Sequence, residues 1–292
     1  MTFEELLTVG RKVLSEPPRR TAPREARSLL ALASGRSPLW LLAHGDEEAP
    51  PGVEKGYRNL LNRRATGIPT AYLRGDQEFY GRRFRVDPRV LIPRPETEHL
   101  VEAVLALTLP ANPEILDLGV GSGCLAITLA LECPGSRVLG VDSSPAALAV
   151  ARLNVRLHDV AERVRLVAGG WARPLDLSSF DLVVSNPPYV DPEDPESFDP
   201  SVPRHEPRSA LFSGAGGTEA TARLFESLED LSSRAPVVTE IGLGQLPRLR
   251  RIAVRRGWEP AAVNDDLAGI PRVVRWRRRS EHPGRRGVLA HG

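Results

Sequence analysis

The sequence predicts an α/β fold, a doubly wound and mostly parallel seven-stranded sheet preceded by a small N-terminal helical domain and a linking β-hairpin. Three observations carry this expectation. From residue 113 onward, strand-like and helix-like segments alternate, as a parallel sheet with helices on both faces requires. The first of these strands runs into a glycine-rich turn, DLGVGSG at 117–123, directly ahead of a helix. Before residue 76, by contrast, no strand-like alternation occurs, and apolar residues recur at helical spacing.

Residues 1–75 read as short amphipathic helices over 3–14, 23–34, 37–43 and 52–65, separated by EPPRRTAP, GRSP and GDEEAPPG. Leu6, Leu7, Val13 and Leu14 give the first helix one apolar stripe, and Pro23 suits the first turn of the second. In 76–94 the pattern changes. QEFYGRRFRVDPRVLIP alternates aromatic and polar residues around Gly81, which predicts a hairpin. A helix then resumes at PETEHLVEAVLALTL, with Pro95 at its start and acids in its first turn.

Residues 95–279 form the expected α/β domain. Its strands are EILDLGV, RVLGVDS, VRLVAGG, FDLVVSNPP, VVTEIGLG, EPAAVND and PRVVRWR. Helices fall between them at GCLAITLALEC, PAALAVARLNVRLH, TEATARLFESLEDLSS and QLPRLRRIAVRRG. The last two strands are too close together for a helical crossover, so they must pair antiparallel at the sheet edge. From Ser280 the chain has no hydrophobic period, and residues 280–292 are expected to be a disordered tail.

Composition narrows the function classes. Of 292 residues, 41% are hydrophobic and 26% charged, which supplies an ordinary globular core. No run approaches the roughly 18 uninterrupted apolar residues of a membrane helix. The acidic N-terminus, MTFEELLTVGRK, is unlike a secretory signal. A cytoplasmic protein with no membrane association is expected. Cys124 and Cys133 fall on one predicted helix, roughly 13 Å apart at about 1.5 Å rise per residue, beyond the ~7 Å reach of a disulfide. Two thiols and six histidines without ligand spacing predict no metal site. The net charge of +2 argues neither for nor against nucleic acid; with no recognisable DNA-reading module, no direct nucleic-acid substrate is expected.

The motifs carry the chemistry. Gly119, Val120, Gly121, Ser122 and Gly123 form a turn that lets backbone approach a ligand at a helix N-terminus. The next strand ends in Asp142, nineteen residues after Gly123, where a carboxylate can accept hydrogen bonds from both ribose hydroxyls of a nucleoside. A dinucleotide-binding dehydrogenase would also fit, although its fingerprint is GxGxxG and this turn reads GxGxG. The fourth strand runs straight into Asn186-Pro187-Pro188-Tyr189. An amide nitrogen is a poor nucleophile because its lone pair is delocalised, so an enzyme must hold the NH2 by its protons. The Asn186 oxygen and the Pro187 carbonyl can each accept one proton's hydrogen bond. The prolines stiffen the loop, and Tyr189 offers a flat π face. Together these segments predict in-line methyl transfer from S-adenosyl-L-methionine to a planar nitrogen, with no covalent intermediate.

The chain resembles the HemK/PrmC family, N5-glutamine methyltransferases acting on peptide chain release factors. The resemblance rests on Gln77-Glu78-Phe79-Tyr80-Gly81 and on Ile92-Pro93-Arg94-Pro95-Glu96-Thr97-Glu98. It continues through DLGVGSG, VSNPPYV, Glu206-Pro207, Ala210-Leu211, Glu240-Ile241-Gly242 and Gln245. It implies a class I, Rossmann-like methyltransferase domain and, as substrate, the glutamine of a Gly-Gly-Gln motif in a release factor. It also implies that the helical domain helps grip that partner; separately, a monomer is expected. Carried over by motif, the cofactor contacts are Gly119, Val120, Gly121, Ser122, Gly123, Asp142, Trp171 and Asn186. The substrate glutamine is held by Asn186, Pro187, Pro188 and Tyr189, with Asn186, Pro187 and Tyr189 catalytic. Trp171 covers the adenine on this view, or else is a core tryptophan. Arg94, Glu96 and Glu98 either salt-bridge the hairpin against the catalytic loop or touch substrate.

The chain departs from the family at Gly170, where an acid is usual, at Val120, where threonine is common, and at Gly216, where aspartate is frequent. Two competing classes remain. NPPY also serves adenine-N6 methyltransferases acting on DNA or RNA, which flip the base into a pocket. A non-catalytic binding protein retaining the fold is the other.

Overall fold

The computed structural model describes residues 1–15, 21–172, 175–194, 204–232 and 235–279. The tail expected to be disordered, 280–292, lies outside the described residues. The chain begins with a helix, α1 (Phe3–Leu14), because Thr2 and Glu5 form a reciprocal capping box that satisfies two of its free N–H groups. Its buried line is Phe3, Leu6, Leu7, Gly10 and Leu14, and Val13, expected on the stripe, lies to one side and is exposed. Helices α2 (Ala22–Ser34), α3 (Pro38–Ala43) and α4 (Val53–Ala65) follow, close to the expected spans. A fifth, α5 (Thr70–Arg74), was not expected: five residues between Pro69 and a left-handed Gly75 are too few to show a period. These helices share a core of their own, centred on Leu6, Leu29, Leu30 and the wholly buried Tyr57. The Tyr57 hydroxyl donates to the Ala26 carbonyl at 3.1 Å, so its polar tip is not left unpaired.

The hairpin forms as expected, from β1 (Asp76–Phe79) and β2 (Arg82–Arg85). Its two turn residues, Tyr80 and Gly81, have φ of 50° and 71°, the left-handed pair that suits the twist of a two-residue hairpin. Asn154 fastens the hairpin to the α/β domain. Its side-chain oxygen accepts from the Arg85 N–H at 2.7 Å, and its amide donates to the Arg85 and Ser122 carbonyls at 3.0 and 2.8 Å. One buried side chain therefore joins the hairpin to the glycine-rich turn.

The α/β domain opens with a 3-10 turn over Pro95–Thr97 and continues as α6 (Glu98–Leu105). Next come β3 (Glu114–Leu118), α7 (Cys124–Glu132), β4 (Arg137–Asp142), α8 (Pro145–Leu157) and β5 (Val164–Ala168). They are followed by β6 (Leu182–Ser185), the short α9 (Arg208–Leu211) and α10 (Glu219–Ser227). The chain closes with β7 (Val237–Glu240), α11 (Leu246–Arg255), β8 (Trp258–Asp265) and β9 (Pro271–Arg278). The sheet order is β5-β4-β3-β6-β7-β9-β8, with β3 to β7 parallel and β9 antiparallel to both its neighbours. The last strand thus inserts beside β7 and leaves β8 at the edge.

Helix α10 stops at Ser227, short of its expected reach to 233. The Arg278 guanidinium, arriving from β9, donates to the Leu228 and Glu229 carbonyls and draws them out of the helical ladder. Two cores flank the sheet. One faces α6, α7 and α8, and the other holds Phe225, Trp258 and Trp276 on the opposite side.

Candidate active site

Parallel strands all present their carboxyl ends to one edge, and an open sheet of this kind forms its ligand crevice there. A cleft of about 330 Å³ opens at this edge, within the range of small-molecule sites. Gly119, Gly121, Asp142, Trp171, Asn186 and Pro188 line it. Val120 and Ser122 do not; both side chains are buried, at 4% and 3% exposure, and Val120 packs into the core. Gly123 caps α7, and Pro187 and Tyr189 are not among the residues that line the cleft.

The glycine-rich turn spends its N–H groups internally. Gly119 and Val120 both donate to the Val141 carbonyl, at 2.8 and 3.0 Å. Gly121 donates to Asp142 Oδ2 at 2.9 Å, and Ser144 donates to Oδ1 at 2.8 Å. The positive φ values of Gly119, Gly121 and Gly123, 83°, 54° and 84°, make that folding-back possible. An ionised carboxylate has about four acceptor positions. Asp142 therefore keeps one on each oxygen, matching the two hydroxyls of a ribose. Asp117 lies deeper, with Oδ2 buried and unpaired. Burial and the neighbouring Asp142 charge push its carboxyl up to about 7, against the Ala126 N–H that favours ionisation.

Trp171 lines the cleft with one side and packs on the second core with the other. The ring thus meets both the cleft and the second core. Its φ of 61° is rare for a bulky residue and costs on the order of 1–3 kcal/mol, so the packing around it must hold it there. Beside it, a side chain at Gly170 would meet nothing within 4 Å.

The Asn186–Tyr189 loop follows β6, whose register with β7 sets Ser185 opposite Thr239. Asn186, the residue just beyond β6, and Glu240, the last residue of β7, are thereby set side by side. Asn186 Nδ2 donates to Thr97 Oγ1 at 2.9 Å. Thr97 donates to Glu240 Oε2 at 2.7 Å, and the Tyr189 hydroxyl donates to Oε1 at 3.1 Å. Burial raises the Glu240 carboxyl, while the two hydroxyl donors and Arg272 favour its charge. The Tyr189 phenol is raised by burial and by Glu240 and stays protonated.

A second set of bonds clamps the loop from outside. Gln245 Nε2 donates to the Tyr189 carbonyl at 2.7 Å and to the Gly217 carbonyl at 3.1 Å, while its oxygen accepts from the Gly242 N–H at 2.9 Å. Val190 pairs with the 211–213 segment through two backbone bonds of 2.9 and 3.0 Å. In the 92–98 segment, Arg94 pairs with buried Glu206 at 2.6 Å, and Glu206 also accepts from the Ile92 N–H at 3.0 Å. Glu98 accepts the Tyr80 N–H at 2.7 Å and so steadies the hairpin turn, whereas Glu96 is exposed. Thr97, Glu206, Glu240 and Gln245 had no individual role in the sequence reading. One signal was present: Glu240 is a carboxylate closing a strand, VVTE, that is buried throughout. Among the described residues, no group of His, Cys, Asp and Glu could hold a metal ion, and no helix is long and apolar enough to cross a membrane.

Comparison with known proteins matches residues 5–75 to the PrmC N-terminal domain and 97–198 to the methyltransferase small domain. The chain is 40% identical, over 94% of its length and 97% of the relative's, to a release factor glutamine methyltransferase of Neisseria gonorrhoeae. A protein of the same name from Geobacter sulfurreducens is 37% identical over 94% of this chain and 95% of its own. Among solved structures, a methyltransferase from Pyrococcus furiosus superposes with a TM-score of 0.51, 16% identity, and 69% and 91% coverage of the two chains. The hMettl16 catalytic domain, solved with an RNA hairpin, gives 0.54 at 18% identity, covering 76% and 83%. At such identities these two likenesses concern the fold.

Two outcomes are expected. A Cβ at Gly217, whose φ is 64°, would collide with the Tyr189 carbonyl and the Gln245 amide. Gly217→Ala should therefore cost about 2–4 kcal/mol in denaturant unfolding; a loss under ~0.5 kcal/mol would show that the clamp yields freely. Asp117 keeps its proton up to about 7 when folded and releases it near 3.8 when unfolded, so its contribution to stability is lost as pH rises through that window. Asp117→Asn cannot ionise. Its advantage in unfolding free energy over the wild type, measured by denaturant titration, should grow between about pH 4 and 7, reaching on the order of 2–4 kcal/mol. A difference independent of pH from 4 to 8 contradicts this.

Proposed function

The chain belongs to the release factor glutamine methyltransferase family, and on that premise we propose that it transfers a methyl group from S-adenosyl-L-methionine to the N5 nitrogen of the glutamine in a release factor's Gly-Gly-Gln motif. The observation that carries the reading is the placement of Asn186-Pro187-Pro188-Tyr189 at the end of β6, beside the cleft built by the glycine turn and Asp142.

The residues present fit the cofactor. Asp142 has an acceptor to spare on each oxygen, Trp171 gives a flat wall, and Gly119 and Gly121 bring backbone to the cleft surface. When bound, the cofactor supplies a methyl group made electrophilic by its sulfonium. The chain's own residues supply position. Asn186 Oδ1 and the Pro187 carbonyl each accept a hydrogen bond from one N–H of the substrate NH2, turning its lone pair toward the cofactor pocket. Pro187 and Pro188 have fixed φ and no N–H to donate, so the loop does not relax away from that geometry. The Tyr189 ring, pinned by its hydroxyl to Glu240, offers a π face to the planar amide. Once methylated, the nitrogen is acidic enough to lose its proton to water, and no general base is required.

On this reading 1–75 is the recognition domain for the release factor, supported by its separate core. Residues 76–94 are a linker held by Asn154 and Glu98, and 95–279 are the methyltransferase domain. The enzyme works as a monomer in the cytoplasm on a protein and on no nucleic acid.

The direct test incubates the protein with labelled methyl donor and a release factor, with and without its motif glutamine changed to alanine. Label should appear on the first and be absent from the second; label on the alanine form, or on nucleic acid alone, would overturn the reading. The open space at Gly170 gives an independent check on where adenine lies. Gly170→Asp should strengthen cofactor binding about fivefold by calorimetry, roughly 1 kcal/mol, by offering the adenine amino group an acceptor. Unchanged or weaker binding removes adenine from the place beside Trp171.

A further inference from the structure

We propose that Thr97 and Glu240 are positioning residues for the methyl transfer: through the Thr97 hydroxyl, the Glu240 carboxylate fixes the Asn186 carboxamide with its NH2 turned inward and its oxygen free for the substrate amide. This inference rests on the functional reading above and deepens it.

Proton counting carries it with Glu240 ionised, the state that, against the upward pull of burial, its Thr97 and Tyr189 hydroxyl donors and Arg272 favour. An ionised carboxylate can only accept hydrogen bonds, and a hydroxyl has a single proton to give. Thr97 Oγ1 stands 2.7 Å from Glu240 Oε2, so its proton is committed there. Its oxygen can then only accept, and the Asn186 atom 2.9 Å away must be the donating nitrogen. The two ends of a carboxamide have nearly the same shape, so packing alone does not choose between them. Here the choice is made by a group two hydrogen bonds away. The opposite orientation would set the amide oxygen against Oγ1. Thr97 would then have to turn its proton away from Glu240, leaving a buried carboxylate one donor short. Thr97 is 3% exposed and Glu240 1%, so water does not make up the loss. Tyr189, donating to the other carboxylate oxygen at 3.1 Å, closes the same circuit from the far end of the loop.

The consequence is chemical. The substrate amide arrives as a donor of two protons, and only an acceptor at Asn186 can orient it. With the carboxamide reversed, two NH2 groups would face each other and the lone pair would lose its alignment. Neither Thr97 nor Glu240 touches the reacting atoms; both act through Asn186.

The test uses the full chain and a release factor substrate. Thr97→Val keeps the shape of the side chain and removes the proton relay, while Thr97→Ser restores the hydroxyl. Thr97→Val should lower kcat for the release factor at least tenfold. Cofactor Kd by calorimetry should stay within twofold, because Asp142 and the glycine turn are untouched. Thr97→Ser should return kcat to within threefold of the wild type. If Thr97→Val does not fold, Thr97→Ala compared with Thr97→Ser decides on the same criteria. A Val or Ala variant within twofold of the wild-type kcat would overturn the proposal, as would a Ser variant impaired as deeply as they are. A purely structural role would lower Tm and cofactor affinity together, which also counts against it. A wild type that does not methylate the release factor overturns the functional reading itself, and this inference with it; that failure is visible without any variant.

Discussion

The Glu240 carboxylate, 1% exposed at the end of β7, accepts from the Thr97 hydroxyl at 2.7 Å and from the Tyr189 phenol at 3.1 Å. A charge at such depth is tolerated only if its lone pairs are occupied, and these two donors come from segments far apart in the chain. Thr97 sits on the turn that opens α6, and Tyr189 on the loop that leaves β6. The carboxylate therefore sets where the first helix of the α/β domain begins and where the Asn186–Tyr189 loop lies. The β6–β7 register delivers Asn186 next to it, and Gln245, one turn into the next connection, holds the Tyr189 carbonyl from outside. Remove the carboxylate's acceptor character and these placements lose their common reference.

Much of this architecture was legible in the sequence, because burial imposes a period. The alternation of apolar strands and amphipathic helices fixes the parallel sheet, and the short link between the last two strands requires them to pair antiparallel. The strand-end motifs at 117–123, 142 and 186–189 could be assigned to one sheet edge by topology alone. What escaped were features without a period. Helix α5 and helix α9 are five and four residues long and owe their ends to proline, glycine and tertiary contacts. Helix α10 was read too long because Arg278, fifty residues on, takes the carbonyls that would have continued it. Val13 was placed on the buried stripe of α1 by spacing, yet the helix faces its partner along the Gly10 side.

The site shows the same division. Some of the residues that line the cleft announce themselves as motifs, since their chemistry is local: glycines that fold back, an acid at a strand end, a proline that stiffens a loop; Arg89, Phe212 and Arg223 line it without such a signal. Thr97, Glu206, Glu240 and Gln245 act by pairing across 89 positions (Thr97 with Asn186), 112 (Arg94 with Glu206), 51 (Glu240 with Tyr189) and 56 (Gln245 with Tyr189). No spacing rule reaches that far. Arg94 and Glu98 show how one segment does two jobs, the first gripping Glu206 and the second the hairpin turn, with Thr97 between them turned to the Asn186–Tyr189 loop.

The glycine turn itself separates the two cofactor classes that its sequence left open. A pyrophosphate needs free N–H groups at the turn, and here Gly119 and Val120 give theirs to the Val141 carbonyl while Gly121 gives its own to Asp142. The same turn stands against two carboxyl groups, Asp142 at the cleft and Asp117 beneath it with a buried oxygen that has no partner. The turn therefore has few N–H donors left for a phosphate, while Asp142 keeps an acceptor on each oxygen for the hydroxyls of a ribose. Its hydrogen bonding favours a nucleoside cofactor without a pyrophosphate, as S-adenosylmethionine is, on grounds independent of the glycine spacing.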